Sequence, residues 1–440
     1  MRKFIDFERM LFASGDFAFN LYWQSLMIYL LFYQTEALHL SIPLATQWYF
    51  IASIGDGIAS MAVAVIVDRY LPSRSQRKAV LIGAIPLGLC FVCAYSPTPI
   101  ASLAPSVWML MSQLALRTAY AVVNVPYLAM SARISARSED RSLVAGLRMI
   151  FGAVAAIVVA YGTAPLGRML PHGDEASVYR NAAILFAAAA SLLLVVVAAR
   201  YQEDEAVPSP AVGSIRDGLV AAWRNPAFVT LAAAMAAMIA ASAMLDKSIL
   251  YYFKYALGDQ TSGQTTLALM AVISVVALPL WIAISRRFGV RAAWFMAVLS
   301  GVLWLLGLGI ADGRSRGLAS LLLVLMQSSI VGLNFALWAM LPEAIAYGQR
   351  QTGVRVEAVL YGYVALIQRI AIGLGALMLG LTLSGGDHAI GPAHGSGAAL
   401  AFRSIISAVP ILLLLVSAAF MWLSPLKRAG ATTGSHEAES

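Results

Sequence analysis

Long apolar runs alternate with short polar segments along almost the whole chain. A helix of about 20 apolar residues is long enough to cross the hydrocarbon core of a bilayer. Because unpaired backbone groups are costly in that core, runs of this length predict helices. The pattern predicts twelve membrane-spanning helices, at about residues 10–33, 46–67, 79–97, 106–130, 144–165, 179–199, 228–253, 264–285, 291–311, 317–345, 360–384 and 399–424.

The longest predicted inner loop, at about 200–227, begins with YQEDEAVPSPAVGS and divides the spans into six and six. The two groups of helices are similar, because a basic hairpin joins the second and third helix in each group. Its sequence is VDRYLPSRSQRKAV in the first group and ISRRFGVRAAW in the second. We therefore expect an N-terminal six-helix half over 1–199, a cytoplasmic linker over 200–227, a C-terminal half over 228–424 and a cytoplasmic tail over 425–440.

Paired six-helix halves, with substrate held near the bilayer midplane between them, are the plan of the major facilitator transporters. The expected fold class is therefore an all-α membrane protein, with twelve transmembrane helices in two six-helix halves and the major facilitator fold. A twelve-helix membrane enzyme or a channel is the alternative. An enzyme is disfavoured, because the sequence has no HExxH motif, no clustered histidines and no phosphate-binding loop.

The composition agrees with a membrane protein, since 60% of the residues are hydrophobic and only 12% are charged. The formal net charge of +8 comes from basic residues scattered in short loops, which does not indicate a nucleic-acid partner. Most of these residues fall in one set of alternating loops, and such loops are cytoplasmic in multi-pass proteins. We expect both termini in the cytoplasm, a location in a bacterial inner membrane, a monomeric state, and no cofactor besides a coupling ion.

A few ionisable residues fall inside the predicted spans, where such groups face the bundle interior, pair with each other or bind a ligand. The simplest interpretation is a salt-bridge network that only locks the helices together. Two of these residues, Asp246 and Lys247, are adjacent and point about 100° apart on a helix, so we expect each to find a different partner. The others are Asp16, Asp56, Arg117, Arg148 and Arg369, with Glu343 near an inner helix end.

Helical spacing places several of these charges on shared faces with aromatic and amide side chains. Such a combination suits a sugar, whose ring has an apolar face and a polar edge. The basic groups inside slightly outnumber the acids, and a guanidinium binds a carboxylate or sulfonate in a bidentate way, which favours an anionic substrate. The predicted substrate-binding residues are Asp16, Asn20, Trp23, Arg117, Tyr120, Asn124, Arg148, Lys247, Trp338 and Arg369.

A series of motifs, in this order and spacing, resembles the glycoside–pentoside–hexuronide:cation symporters nearly end to end. The motifs are ASGDFAFNLYWQSL, IASIGDGIASMAVAVIVDRY followed by SRSQRK, NVPYLAM, GLRMIFG, NPAF, YYFKYALGD, WAMLPEAIAYGQRQTGVRVEAVLYG and IQRIAIGLG. The resemblance implies that Asp16 and Arg148 belong to the sugar site. It also implies that Asp56 is the first acid of the cation-binding helix. Arg369 falls where the family usually has a lysine close to the cation site.

The chain departs from the family pattern at positions that matter for the coupling ion. The second acid of the cation-binding helix is here Ser60, the acid of the fourth helix is Asn124, and the tryptophan that stacks on the sugar is Leu128. Ser60 and Asn124 can still offer neutral oxygens, so sodium remains an alternative. A proton needs only one carboxyl group, and we therefore expect proton coupling through Asp56, with Arg369 as its partner and Ser60 and Asn124 beside them.

The expected function is a secondary transporter, not an enzyme, that carries a sugar or an anionic sugar derivative together with a cation by alternating access. One alternative is a transporter of an amphipathic anion such as a lysolipid or a steroid acid, because members of the wider family move lipids. Sodium-coupled sugar symport is a second alternative, and a sensor or channel that does not accumulate substrate is a third.

The basic hairpins predict a cytoplasmic gate formed by Asp68, Arg69, Arg74 and Arg287. Asp68 lies at the end of the second span, with loop arginines in reach of its carboxylate. We expect Asp68→Asn to weaken the state that is closed on the cytoplasmic side and to impair transport, while substrate binding survives. Binding and uptake assays on the same reconstituted protein test this. Loss of binding with an unchanged conformational balance would contradict it.

Overall fold

The computed structural model describes residues 2–70, 73–99, 102–132, 134, 138–171, 173–201, 220, 222–310, 315–352, 357–384 and 396–428. Within these residues the chain forms twelve long helices and no strand. The helices are α1 (Arg2–Ile28), α2 (Ile42–Tyr70), α3 (Ser73–Ala94), α4 (Pro105–Ala132), α5 (Ser138–Met169), α6 (Glu175–Arg200), α7 (Pro226–Tyr251), α8 (Gln260–Phe288), α9 (Val290–Ile310), α10 (Arg316–Thr352), α11 (Glu357–Ser384) and α12 (Ser396–Leu423).

These helices confirm the predicted multi-pass fold with six long helices on either side of the longest polar loop. Ten of them, among the described residues, are long and apolar enough to cross a membrane. The two that fall short of this standard are α1 and α4, and α4 carries the buried polar side chains Gln113 and Arg117. Most of the predicted linker, at 202–219 and 221, and most of the tail, at 429–440, lie outside the described residues, so the exact domain boundaries stay a prediction.

Local sequence fixes where the helices begin and end. The side chain of Asn225 accepts hydrogen bonds from the backbone N–H groups of Ala227 and Phe228, and Pro226 occupies the first turn of α7. Asp174 caps α6 in the same way through Ser177, and these hydrogen bonds lower the pKa of the Asp174 carboxyl. The caps orient helices that cross between the two faces of the bundle.

Glycines allow α2 of the N-terminal half to approach α11 of the C-terminal half closely. A Cβ atom on Gly57 would lie 2.6 Å from Cδ1 of Leu366, and one on Gly373 would lie 2.7 Å from Cβ of Ser53. Small residues at such positions let helix backbones pack tightly inside a membrane. This close packing brings the α11 side chain Arg369 to Asp56 on α2, which is how the two halves come to share one polar site.

Contacts between the two halves close one face of the bundle. We call this the far face, because α1 begins and α12 ends at the opposite one, the termini face. After its main helix, each of α1 and α7 continues into a single π-helical turn, Tyr33–Ala37 and Tyr252–Ala256. The hydroxyls of Thr35 and Tyr251 lie 2.6 Å apart, and Glu36 Oε2 accepts from Nζ of Lys254 and the hydroxyl of Tyr255, each at 2.5 Å.

Two polar contacts near the termini face join helices of the same half. Arg9 on α1 forms a two-point ion pair with Asp140 on α5, both in the N-terminal half. The side chain of Asn225 donates to the carbonyl of Ala344 on α10, both in the C-terminal half. The structure therefore shows a state in which the halves are joined at the far face.

The predicted gate at the termini face falls mostly outside what the structure describes. The side chains of Asp68, Arg69 and Arg74 are not among the described residues. Arg287 is described, and its guanidinium lies 5.4 Å from the centroid of the Phe288 ring. The gate remains a prediction.

We expect Glu36→Gln to weaken closure of the far face, because it replaces the charged acceptor of two short hydrogen bonds between the π-helical turns after α1 and α7 with a neutral amide. Hydrogen bonds that involve a charged group contribute about 1.5–3 kcal/mol each, so the closed population should fall roughly tenfold or more. Distances between spin labels at the far ends of the two halves measure this shift. Tyr255→Phe, which removes one of the two bonds, should produce a smaller change. An unchanged distance distribution in Glu36→Gln would contradict the assignment.

Candidate functional site

A cavity of about 1600 Å³ lies between the two halves. Helices α1, α4 and α5 line it from the N-terminal half, and α7, α8, α10 and α11 line it from the C-terminal half. Ligand sites are concave and mostly apolar, with a few well-placed polar groups, and this cavity has that character. The charged residues that line it within the described chain are Asp16, Arg148, Asp246, Lys247 and Arg369.

A carboxylate held by two guanidinium groups lies behind the cavity wall. Oδ2 of Asp56 is 3.2 Å from Nη1 of Arg117 and 3.5 Å from Nη1 of Arg369. The hydroxyl of Ser60, one turn further along α2, donates to Oδ1 of Asp56 at 3.3 Å. Asp56 is only 1% exposed and Arg117 only 2%, so this cluster is shielded from water on the α2–α4 side.

Arg369 connects this buried cluster to the cavity. Its side chain keeps 22% of its surface exposed and lines the cavity, although it also reaches the carboxylate of Asp56. The guanidinium carbon lies 4.0 Å from the centroid of the Trp23 ring, which is a close cation–π contact. The predicted pairing of Arg369 with Asp56 is thus present, and Trp23 is an additional partner.

Arg117 was predicted to contact substrate, but it does not line the cavity. It borders a small void of about 10 Å³ together with Asp56, Trp23 and Tyr120. Its guanidinium carbon is 4.8 Å from the Tyr49 ring, and its Nε and Nη2 have no hydrogen-bond partner among the described residues. Arg117 therefore acts as a fixed positive charge behind the cavity.

Asp16 and Arg148 form a second charged cluster, which faces the cavity directly. Nε of Arg148 donates to Oδ2 of Asp16, and Nη2 is 3.4 Å from Oδ1. Arg148 also donates to the hydroxyl of Ser131 at 3.0 Å, and the hydroxyl of Tyr127 lies 3.2 Å from Oδ2 of Asp16. The structure thus brings together the acid and the arginine that were predicted for a sugar site.

Asp246 and Lys247 find separate partners, as their spacing on the helix predicts. Nζ of Lys247 crosses to the N-terminal half, where it donates to the carbonyl of Met27 at 3.2 Å and lies 4.3 Å from the Tyr49 ring centroid. Asp246 remains on the cavity wall, where the hydroxyl of Ser242 is 3.4 Å from its Oδ2. No ion pair to Asp246 occurs in the described part of the chain.

Aromatic and amide side chains complete the cavity wall. Trp338 on α10 is 49% exposed although it lines the cavity, so its ring face is free to receive a ligand. Trp23 and Tyr120 contact each other with ring centroids 5.6 Å apart. The Nδ2 of Asn20 donates to the backbone carbonyl of Asp16 at 2.9 Å, its Oδ1 accepts from Nε2 of Gln24 at 3.4 Å, and both amide residues line the cavity.

Besides Arg117 and Asp56, two more predicted residues do not line the cavity, and one residue of the site was missed. Ser60 reaches the site only through Asp56, and Asn124 is partly buried on α4 but does not line the cavity. Sequence reasoning overlooked Tyr49, which lies between the cations of Arg117 and Lys247. Tyr49 precedes Asp56 by seven residues, so it lies on the same face of α2 two turns away, and this spacing could have revealed it.

Comparison with known proteins shows what the chain is similar to. The sequence model of the MFS/sugar transport protein family matches residues 11–428. The isoprimeverose transporter of Lactiplantibacillus pentosus is 24% identical over 92% of this chain and 85% of its own length. The glucuronide carrier protein homolog of Escherichia coli is 22% identical over 94% of this chain and 91% of its own. The structure of a D-xylose–proton symporter shares the fold, with a TM-score of 0.67 and 15% identity, and the match covers 95% of this chain and 97% of that one.

We expect Trp338→Ala to weaken ligand binding in the cavity with little effect on folding, because the ring is half exposed and packs against few neighbours. Loss of one aromatic contact is worth about 0.5–1.5 kcal/mol, which corresponds to roughly a 3- to 10-fold rise in Kd. Calorimetric titration of the protein with a sugar that it binds measures this Kd. Trp338→Phe, which keeps a ring face, should recover most of the affinity. Equal affinity in the alanine variant would show that Trp338 is not part of the binding surface.

Proposed function

We propose that this chain, which belongs to the MFS/sugar transport protein family, is a proton-coupled symporter of an anionic sugar derivative such as a hexuronide. As a member of that family it is a multi-pass membrane transporter and not an enzyme, and its relatives include an isoprimeverose transporter and a glucuronide carrier homolog. The observation that carries the finer proposal is the cluster in which one buried carboxylate, Asp56, is shared by two guanidiniums, of which Arg369 also faces the cavity.

The charges around the cavity do not cancel. Asp16 balances Arg148, and Asp246 balances Lys247, although the second pair is not in direct contact. The remaining cluster has two guanidiniums and one carboxylate, so one positive charge is left over beside the cavity. An uncompensated charge is costly at the depth of a membrane. A substrate with one negative charge would neutralise it.

Arg369 has the position and the chemistry to bind that negative charge. A guanidinium matches the two oxygens of a carboxylate in a bidentate way, and such charge-assisted bonds are stronger than those of neutral groups. If Arg369 turns from Asp56 to the substrate, Asp56 still keeps Arg117 and is not left unpaired. The rings of Trp338 and Trp23 would then receive the apolar face of the sugar, and Asp16, Asn20 and Arg148 its hydroxyl groups.

The surroundings of Asp56 favour a proton over sodium as the coupling ion. Sodium requires several hard oxygen ligands, and two guanidiniums within 3.5 Å of the same carboxylate oxygen would repel it. Asn124, a predicted oxygen donor, does not line the cavity. The hypothesis that Asp56 itself takes the proton assumed one basic partner, whereas the structure gives it two. We therefore assign Asp56 the role of holding Arg369 for the anion.

Transport requires that the site open alternately to the two sides of the membrane. The distribution of basic residues supports a cytoplasmic termini face. The bacterial relatives, which include an inner membrane symporter of Escherichia coli, support a bacterial inner membrane location. The contacts at Glu36 would then close the outer side, and the observed state would be the one that exchanges substrate with the cytoplasm. The two halves would rock about the shared site, as alternating access requires.

We expect Arg369→Gln to reduce binding of a glucuronide about 10- to 100-fold, because it removes charge-assisted hydrogen bonds worth about 1.5–3 kcal/mol. Binding of a neutral glycoside of similar size should change by less than threefold. Arg350→Gln removes an exposed charge in the last turn of α10, outside the cavity and the predicted gate, and is the matched control, with no expected effect on either ligand.

Uptake by proteoliposomes tests the coupling ion. Glucuronide addition should make a weakly buffered medium more alkaline, and a pH gradient should drive accumulation without sodium. Accumulation driven by a sodium gradient at fixed pH would refute proton coupling. Tight binding of a neutral sugar, or of a lysolipid or steroid acid, that is unchanged in Arg369→Gln would refute the anionic sugar as the substrate.

A further inference from the structure

Among the described carboxylates that line the cavity or lie behind its wall, Asp246 is the one that forms no ion pair. Asp16 is held by Arg148, and Asp56 by Arg117 and Arg369. Asp246 lines the cavity on α7, and in the described part of the chain its only hydrogen-bonding side chain is Ser242, at 3.4 Å. A carboxylate at such a depth is expensive unless it is paired, protonated or bound to a ligand.

We propose that Asp246 is the group that binds the coupling proton, an inference that rests on the proposed proton symport. A coupling group must change its charge once in each cycle. Asp16 and Asp56 would each have to break an ion pair to do so, and protonation of Asp56 would leave two guanidiniums facing each other. Asp246 can take up or release a proton without breaking an ion pair, and the cavity gives the proton a path to it.

The charged groups around Asp246 support this assignment. Its neighbour Lys247 acts on it through space, but the Lys247 ammonium is already engaged by the carbonyl of Met27 and the Tyr49 ring. Arg369 on α11 is held by Asp56 and Trp23. From the other elements, Asp16 of α1 is paired with Arg148 of α5, Arg403 of α12 lies near Tyr252 at the far end of α7, and Glu343 of α10 does not line the cavity.

The position of Asp246 explains how proton and anion would favour each other. An ionised Asp246 repels an anionic substrate that enters the same cavity, and protonation removes that repulsion. In return, an anion bound at Arg369 disfavours the ionised form of a nearby carboxyl group. Binding of each ligand therefore promotes binding of the other, as thermodynamic linkage requires.

Infrared difference spectroscopy on the full-length chain in lipid tests this without any sugar. Wild-type protein should show a carboxylic-acid C=O band that disappears as the pH is raised. Asp246→Asn should lack this band, and Asp246→Glu should regain it at a shifted frequency. Asp56→Asn removes a carboxylate that is already paired and should keep the band. A pH-dependent band that persists unchanged in Asp246→Asn would overturn the proposal.

Glucuronide uptake by proteoliposomes is the functional arm of the same test. Asp246→Asn should bring substrate only to its equilibrium level under a pH gradient, an accumulation ratio of about one, while exchange of internal for external substrate persists. Glu343→Gln, an acid-to-amide change away from the cavity, should accumulate substrate as wild type does. Accumulation above equilibrium in Asp246→Asn would overturn the assignment of the proton. Failure of wild type to accumulate any anionic sugar would instead refute the proposed function, and the infrared result would still decide on Asp246.

Discussion

The carboxylate of Asp56 joins three helices from both halves of the molecule. It projects from α2, accepts a hydrogen bond from Arg117 on α4, and forms an ion pair with Arg369 on α11 at 3.5 Å. A buried carboxylate of this kind is tolerated in a membrane only when it is paired, and removing one member leaves an uncompensated charge that costs about 3–5 kcal/mol. The close packing of α2 against α11 at Gly57 and Gly373 meets this requirement, because it brings the guanidinium of Arg369 within reach of Asp56.

The rest of the site depends on the fact that the two arginines are not equivalent. Arg117 is sealed behind the cavity wall, whereas Arg369 stands between the buried acid and the open space with its guanidinium on Trp23. One arginine can therefore leave the carboxylate without unbalancing it. Tyr49 adds a link to the C-terminal half, because its ring faces the cations of both Arg117 and Lys247. Substrate binding at Arg369, as proposed, would in this way be connected to contacts that hold the halves together.

The sequence predicted the fold and much of the site, because apolar runs and intramembrane charges follow strong physical constraints. The helix count could be anticipated from the apolar runs, and the family resemblance placed Asp16 and Arg148 in one site and Arg369 close to Asp56. The sequence could not show that Arg117 also reaches Asp56, because that pair depends on how α4 rotates against α2. For the same reason Asn124, one turn beyond Tyr120 on α4, was expected at the cavity but lies away from it.

In the proposed binding step, the guanidinium of Arg369 turns from Asp56 to the substrate anion, while Arg117 remains paired with Asp56. A structure of the full-length protein with a bound glucuronide tests this most directly. The account predicts the substrate carboxylate within hydrogen-bonding distance of the Arg369 guanidinium, and Asp56 still paired with Arg117. A sugar carboxylate bound elsewhere in the cavity, with the Asp56–Arg369 pair intact, would contradict it.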